Sequence, residues 1–196
     1  MPPQTLTPAV VDLPPLPTSH ADFERFAATY PDLRWERSAE GRITIMTPAG
    51  GGSGHRNIKI SAQLQLWAEQ DGSGIAFDSS TGFVLPNGAT RSPDASWLEL
   101  ARWNALTEDQ QERFLPLCPV FVVELMSPTD SLPEAHEKMR EYQANGAQLG
   151  WLLVPRLKRV EVYRPHQPVE ILADPDALSG EDTLLGFTLN LRRIWG

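Results

Sequence analysis

The chain has 196 residues, 41% hydrophobic and 21% charged, which suits one globular domain whose core needs no covalent staple. Its 17 Lys and Arg against 25 Asp and Glu leave a net charge of −8, the wrong sign for a protein that coats itself broadly in nucleic acid. The single cysteine, Cys118, excludes an internal disulfide and a zinc set of cysteines and fits a reducing cytoplasm. No apolar run approaches the ~18 residues of a membrane span, and the N-terminus has neither the basic start nor the apolar core of a signal peptide.

Pro2, Pro3, Pro8, Pro14, Pro15 and Pro17 predict an extended or disordered lead-in over residues 1–17, ahead of a single domain over 18–196. Ser19 reads as an N-cap, with Asp22 three residues on and Phe23, Phe26 and Ala27 as the apolar face of a short helix ending near Tyr30. Leu33 to Arg37 and Arg42 to Thr47 predict two strands joined at Ala39-Glu40-Gly41. The glycines of Gly50-Gly51-Gly52-Ser53-Gly54 predict a flexible loop, followed by a helix from about His55 to Gln70 with Ile60, Leu64 and Trp67 along its stripe. Asp71-Gly72-Ser73-Gly74 ends it.

Short strands are expected at Ile75–Ser79, Gly82–Pro86 and Ala95–Leu98, then a mostly helical stretch over 103–114 capped at Thr107. Phe121 to Met126 is the most apolar strand. A turn at Ser127-Pro128-Thr129-Asp130 leads into a helix from Pro133 to Asn145-Gly146. Leu149 to Val154 predicts a strand buried on both faces, and Arg159 to Tyr163 a half-buried one, with Val160 and Val162 inward against Glu161 and Tyr163. Val169–Leu172 and Phe187–Leu191 read as edge strands. The pattern is a mixed α/β domain with strands in the majority. Trp97, Trp103 and Trp151 are expected in the core.

One residue conflicts with its surroundings. Glu124 lies within the run Phe121-Val122-Val123-Glu124-Leu125-Met126, where a carboxylate requires hydrogen bonds, a cation or a metal. Alternation puts Val122, Glu124 and Met126 on one face and Phe121, Val123 and Leu125 on the other. Two readings stay open: a metal ligand at the end of a core strand, or half of a buried salt bridge. Asp94, in Ser92-Pro93-Asp94-Ala95, has simple turn chemistry when taken alone. A second carboxylate later, on a core strand, shifts the balance towards a metal site, since paired carboxylates on neighbouring strands are how proteins hold Mg²⁺. Lys138 flanks the stripe Ala135, Met139, Tyr142 of the next helix, where Glu134 offers an ordinary surface pair. The glycine run lacks the Lys-Ser/Thr of a phosphate-binding loop, and neither a serine-hydrolase elbow nor HExxH occurs.

The order Glu36, Gly41, Thr47-Pro48, His55, Ser92-Pro93-Asp94, Phe121 to Pro128, Lys138, Tyr142, Gly146 and Gly150-Trp151-Leu152 resembles the Uma-type putative restriction endonucleases of the PD-(D/E)XK nuclease superfamily. The resemblance spans roughly Asp22 to Trp195. It implies an α+β, restriction-endonuclease-like fold: a mixed central sheet flanked by helices, with further strands at the C-terminal end. It implies a Mg²⁺ (or Mn²⁺) ion held by Asp94, Glu124 and the Leu125 carbonyl, with Glu36 as an upstream acid. The standard motif places lysine two residues after the second acid, where this chain has Met126; the resemblance implies that Lys138 supplies it. The implied reaction is phosphodiester hydrolysis in nucleic acid, most simply DNA, for which a homodimer suits the cutting of two strands. From their place in the sequence near the candidate site residues, Arg56, Lys59 and Arg91 are expected as phosphate contacts, and His55, at the start of its helix, reads either as a further one or as an ordinary exposed histidine after a glycine loop. Two rivals remain: a nuclease fold that binds without cutting, and a structural protein in which Glu124 pairs with an arginine.

Overall fold

The computed structural model describes residues 19–30 and 33–195, and the lead-in expected over 1–17 lies outside them. Helix α1 (His20–Thr29) starts where Ser19 Oγ accepts the Asp22 amide at 3.1 Å. It buries Phe23, Phe26 and Ala27 against Trp35. Strands β1 (Arg34–Arg37) and β2 (Ile43–Met46) pair as the expected hairpin.

Helix α2 (Gly51–Asp71) begins inside the glycine run that sequence reading assigned to a loop. Glycine costs about 1 kcal/mol per helical position relative to alanine, and docking overrides that cost. Ile60, Leu64 and Ala68 are buried in the core, and the tail of the chain braces the first turns from outside. The helix stops at Gly72, whose φ of 72° is the left-handed geometry that glycine adopts freely.

Next come β3 (Gly74–Asp78), β4 (Phe83–Val84), β5 (Thr90–Arg91) and β6 (Ala95–Glu99). Two-residue β5 has no apolar alternation to announce it. The stretch over 103–114 is not one helix. It divides into α3 (Leu100–Asn104) and α4 (Glu108–Gln111), because Thr107 and Gln110 form a complete capping box that starts a new helix. Strand β7 (Phe121–Leu125), α5 (Leu132–Ala144) and β8 (Leu149–Val154) follow as read from sequence. After β9 (Arg159–Tyr163) and β10 (Glu170–Ala173), strands β11 (Ala177–Ser179) and β12 (Thr188–Asn190) form a separate two-stranded ribbon, so of the two expected edge strands one borders the central sheet and the other belongs to the ribbon. Helix α6 (Arg192–Trp195) ends the described chain.

The central sheet has six strands in the order β10-β9-β8-β7-β6-β3, with β7 and β8 parallel and the other neighbours antiparallel. A second sheet runs β2-β1-β5-β4. One face of the central sheet carries Phe121, Val123, Leu125, Trp151 and Leu153 beneath α2 and the β11–β12 ribbon. The other carries Val122, Leu152 and Tyr163 beneath Met139 and Tyr142 of α5. Gly150 lets α5 come close, since a Cβ there would meet Met139 Cε at 2.6 Å. Strand β9 is buried on both faces, with Glu161 at 3% and Tyr163 at 2% exposure, so it is not the half-buried strand its alternation suggested.

Candidate active site

Extending the β6–β7 register, in which Ala95 faces Val123, by one step sets Asp94 opposite Glu124. Opposite residues on paired strands share a face. Asp94 is then locked: Oδ2 accepts the Leu125 amide at 2.8 Å and Oδ1 accepts Asn57 Nδ2 of α2 at 3.2 Å. Burial raises the Asp94 pKa, opposed by the Leu125 amide and by Lys138.

Glu124 faces α5. Its Oε1 lies 2.9 Å from Lys138 Nζ and accepts Tyr142 Oη at 2.9 Å, while Oε2 carries no hydrogen bond among the described residues. Burial, with Asp94 and Glu36 nearby, pushes its pKa up to about 7 despite the pull of Lys138. Lys138 also bonds Glu36 Oε1 at 2.8 Å. Burial would favour the neutral amine, but the two carboxylates outweigh it and raise the lysine pKa, so it remains an ammonium. The surface pair with Glu134 does not form; Glu134 lies 4.0 Å from Arg42 instead.

Glu36, from β1, accepts the Ser92 amide at 3.0 Å and Arg91 Nη1 at 3.3 Å. Burial raises its pKa, yet Lys138 and Arg91 together bring it below the ordinary glutamate range. Tyr142 lies one helical turn beyond Lys138, and burial together with Glu124 holds its phenol protonated.

The carboxylates and Lys138 line an open cleft of about 1230 Å³ bounded by the β1–β2 hairpin, the start of α2 and the Ser127–Ser131 loop, with Tyr142 buried behind it. Asp94, Glu124, Lys138, Glu36, Arg91 and Arg56 meet there. His55 and Lys59 do not line it. His55 is exposed on α2, and Lys59 Nζ donates to the Arg193 carbonyl at 2.6 Å while Arg56 Nε donates to Ile194 at 3.2 Å, together satisfying carbonyls of the terminal helix. Arg91 sits inside the carboxylate cluster. No arginine pairs with Glu124 among the described residues; its cationic partner is Lys138.

Among the described residues no group of three or more His, Cys, Asp and Glu side chains is arranged as a metal cage. Asp94 and Glu124 nevertheless place two carboxylates on the cleft wall, and Glu124 Oε2 has no hydrogen bond among the described residues. Such a set suits Mg²⁺, which keeps several waters. Sequence reading missed Asn57 and Glu141 and gave Tyr142 no role. Tyr142 was detectable as the residue four after Lys138; nothing in the sequence links Asn57 to Asp94, 37 residues away.

No curated protein matches the chain. Among solved structures it resembles a putative nuclease of the DUF820 group from Anabaena variabilis, at 22% identity and a TM-score of 0.77, covering 91% of this chain and 98% of the other. That likeness shows a shared fold. The family model described as "Putative restriction endonuclease", Uma2, matches residues 20–192. With nearly all its length inside that match, the chain belongs to the Uma2 family.

Proposed function

We propose that the cleft is the active site of a Mg²⁺-dependent endonuclease that hydrolyses phosphodiester bonds in DNA, in the cytoplasm. One observation carries the reading: Lys138 reaches Glu124 from the neighbouring helix, at 2.9 Å, beside Asp94. The lysine missing at Met126 is thus available from α5.

Asp94 and Glu124, with the Leu125 carbonyl, would hold the ion, and Mn²⁺ would substitute. When bound, it neutralises charge on the scissile phosphate and acidifies a coordinated water. Asn57 and the Leu125 amide fix the Asp94 carboxylate, and Tyr142 fixes Glu124 with Oε2 left open. Glu124 and Glu36 hold Lys138 as an ammonium, from which it donates a hydrogen bond to the attacking water or a phosphate oxygen. Glu36 holds the lysine in place. Arg56 on the cleft wall would contact a phosphate and locally offset a net charge of −8; Lys59 and His55, on the same helix but outside the cleft, would meet only nucleic acid running beyond it. A homodimer would present two such clefts to a duplex.

Plasmid nicking tests the site. Asp94→Ala and Glu124→Ala each abolish Mg²⁺-dependent cutting, and unchanged cutting in both discards the assignment. A second reading, a nuclease fold that binds without cutting, has Met126 and the acidic charge in its favour. It requires that calorimetry find no Mg²⁺ binding dependent on Asp94 and Glu124.

A further inference from the structure

If the cleft is the nuclease site proposed above, its lysine must be held still. A four-carbon stem has many rotamers, and a misplacement of about 1 Å can cost about a hundredfold in rate. Glu124 and Glu36 fix the ammonium, but a carboxylate anchors only as firmly as it is itself anchored. Glu36 is bound at both oxygens: Oε1 by Lys138 and the Ser92 amide, Oε2 by Arg91 Nη1. Arg91 is 14% exposed, and its Nε donates to Glu141 Oε2. The other Glu141 oxygen accepts Asn87 Nδ2 at 3.0 Å, and Asn145 Oδ1 accepts the Asn87 amide at 2.8 Å.

Lys138 and Glu141 are three residues apart on α5, so a closed ring runs Lys138–Glu36–Arg91–Glu141 and back through one helical turn. It ties α5 to strands β1 and β5 of the smaller sheet. A guanidinium suits this place because its planar fork presents Nε and Nη to two carboxylates at once; an ammonium has no such fork. Arg91 and Glu141 both line the cleft, yet Nε and Nη1 are each taken by a protein carboxylate.

We propose that Arg91 and Glu141 are positioning residues, which hold Glu36 and through it the Lys138 ammonium, and that Arg91 is not a phosphate contact. The expectation from sequence that Arg91 binds phosphate is replaced by this role.

The test uses the full chain with Arg91→Met, Arg91→Lys and Glu141→Gln. On a DNA substrate, Arg91→Met lowers kcat about ten- to a hundredfold, with KM and the salt dependence of binding unchanged, and Arg91→Lys recovers part of the loss. A raised KM with kcat intact, and a salt slope smaller by about one, would instead mean a lost phosphate contact and overturn the proposal. An independent readout needs no cutting. The ¹H–¹⁵N ammonium signal of Lys138, assigned by its absence in Lys138→Met, broadens away in Arg91→Met and in Glu141→Gln, and survives in Arg91→Lys. An unchanged signal in folded Arg91→Met or Glu141→Gln overturns the positioning role. If Arg91→Met does not fold, Glu141→Gln carries both measurements. If the unaltered protein cuts nothing, the nuclease reading fails, and the lysine signal still decides whether Arg91 and Glu141 fix Lys138.

Discussion

Glu124 and Glu161 are nearly the same feature twice. Glu124 pairs in register with Leu152, and Leu152 with Glu161, so the two carboxylates point to the same face from strands on either side of β8. Both are approached by α5. Glu161 is closed off: Oε1 meets Arg159 Nη2 at 2.8 Å, and Oε2 meets His136 Nε2 at 2.8 Å and Tyr163 Oη at 3.0 Å. Glu124 is satisfied at one oxygen and opens with the other onto the cleft. A buried glutamate in an apolar strand therefore marks a constraint, not a site. What separates the two is an unsatisfied oxygen beside a second carboxylate and open volume.

The largest expected effect tests that contrast by activity. Glu124→Gln removes Mg²⁺-dependent nicking by a factor of about 10³ or more, whereas Glu161→Gln leaves kcat within a few-fold wherever the protein is folded, both read on supercoiled plasmid. Equal losses would erase the distinction. Lys138→Met comes next: turnover falls about a hundredfold, the general range for losing one positioned hydrogen-bond donor, while calorimetry finds Mg²⁺ binding retained. Loss of ion binding along with turnover would mean that the lysine organises the metal site and not the nucleophile.

Stability should rank the two glutamates in the opposite order. Glu161→Ala leaves Arg159 and His136 facing a buried gap and costs about 3–5 kcal/mol in urea melts. Glu124→Gln costs less than about 1 kcal/mol without metal, because losing Lys138's partner is offset by relief of repulsion from Asp94 and Glu36. The smallest effect is in pH. With Glu124 titrating at about 7, a proton competes with the ion below that value, so Mg²⁺ affinity rises by up to about tenfold per pH unit towards 7 and levels off above it. Glu36 has the opposite sign. Its pKa is depressed on folding, so it adds stability at neutral pH that is lost as acid protonates it, and Glu36→Gln flattens the acid limb of the stability profile.

Strand β9 shows how far alternation carries a reading. Val160 and Val162 predicted one buried face correctly, but a polar residue on the other face does not reveal whether a helix covers it. Glu161 is covered by His136 of α5, a contact spanning 25 residues, so the strand that looked half-wet is dry. The glycine run failed for a related reason: propensity is a local quantity, and the docking of α2 on the sheet is not.

The order of the chain was decided locally. Ser19 and Thr107 as caps, Gly72 as a stop, the apolar runs of β7 and β8, and a carboxylate placed against its neighbours' preference all follow from bonds and burial within a few residues, and they single out Glu124; Asp94 stands out only beside it and through the family resemblance. Tertiary structure alone decided what those carboxylates touch. Lys138 reaches Glu124 and Glu36 from α5, Asn57 reaches Asp94 from α2, and Arg91 on the cleft wall is taken up by Glu36 and Glu141. Electrostatic pairing in a buried site depends on distances of about 3 Å between residues far apart in the chain, and periodicity along the sequence holds no record of them.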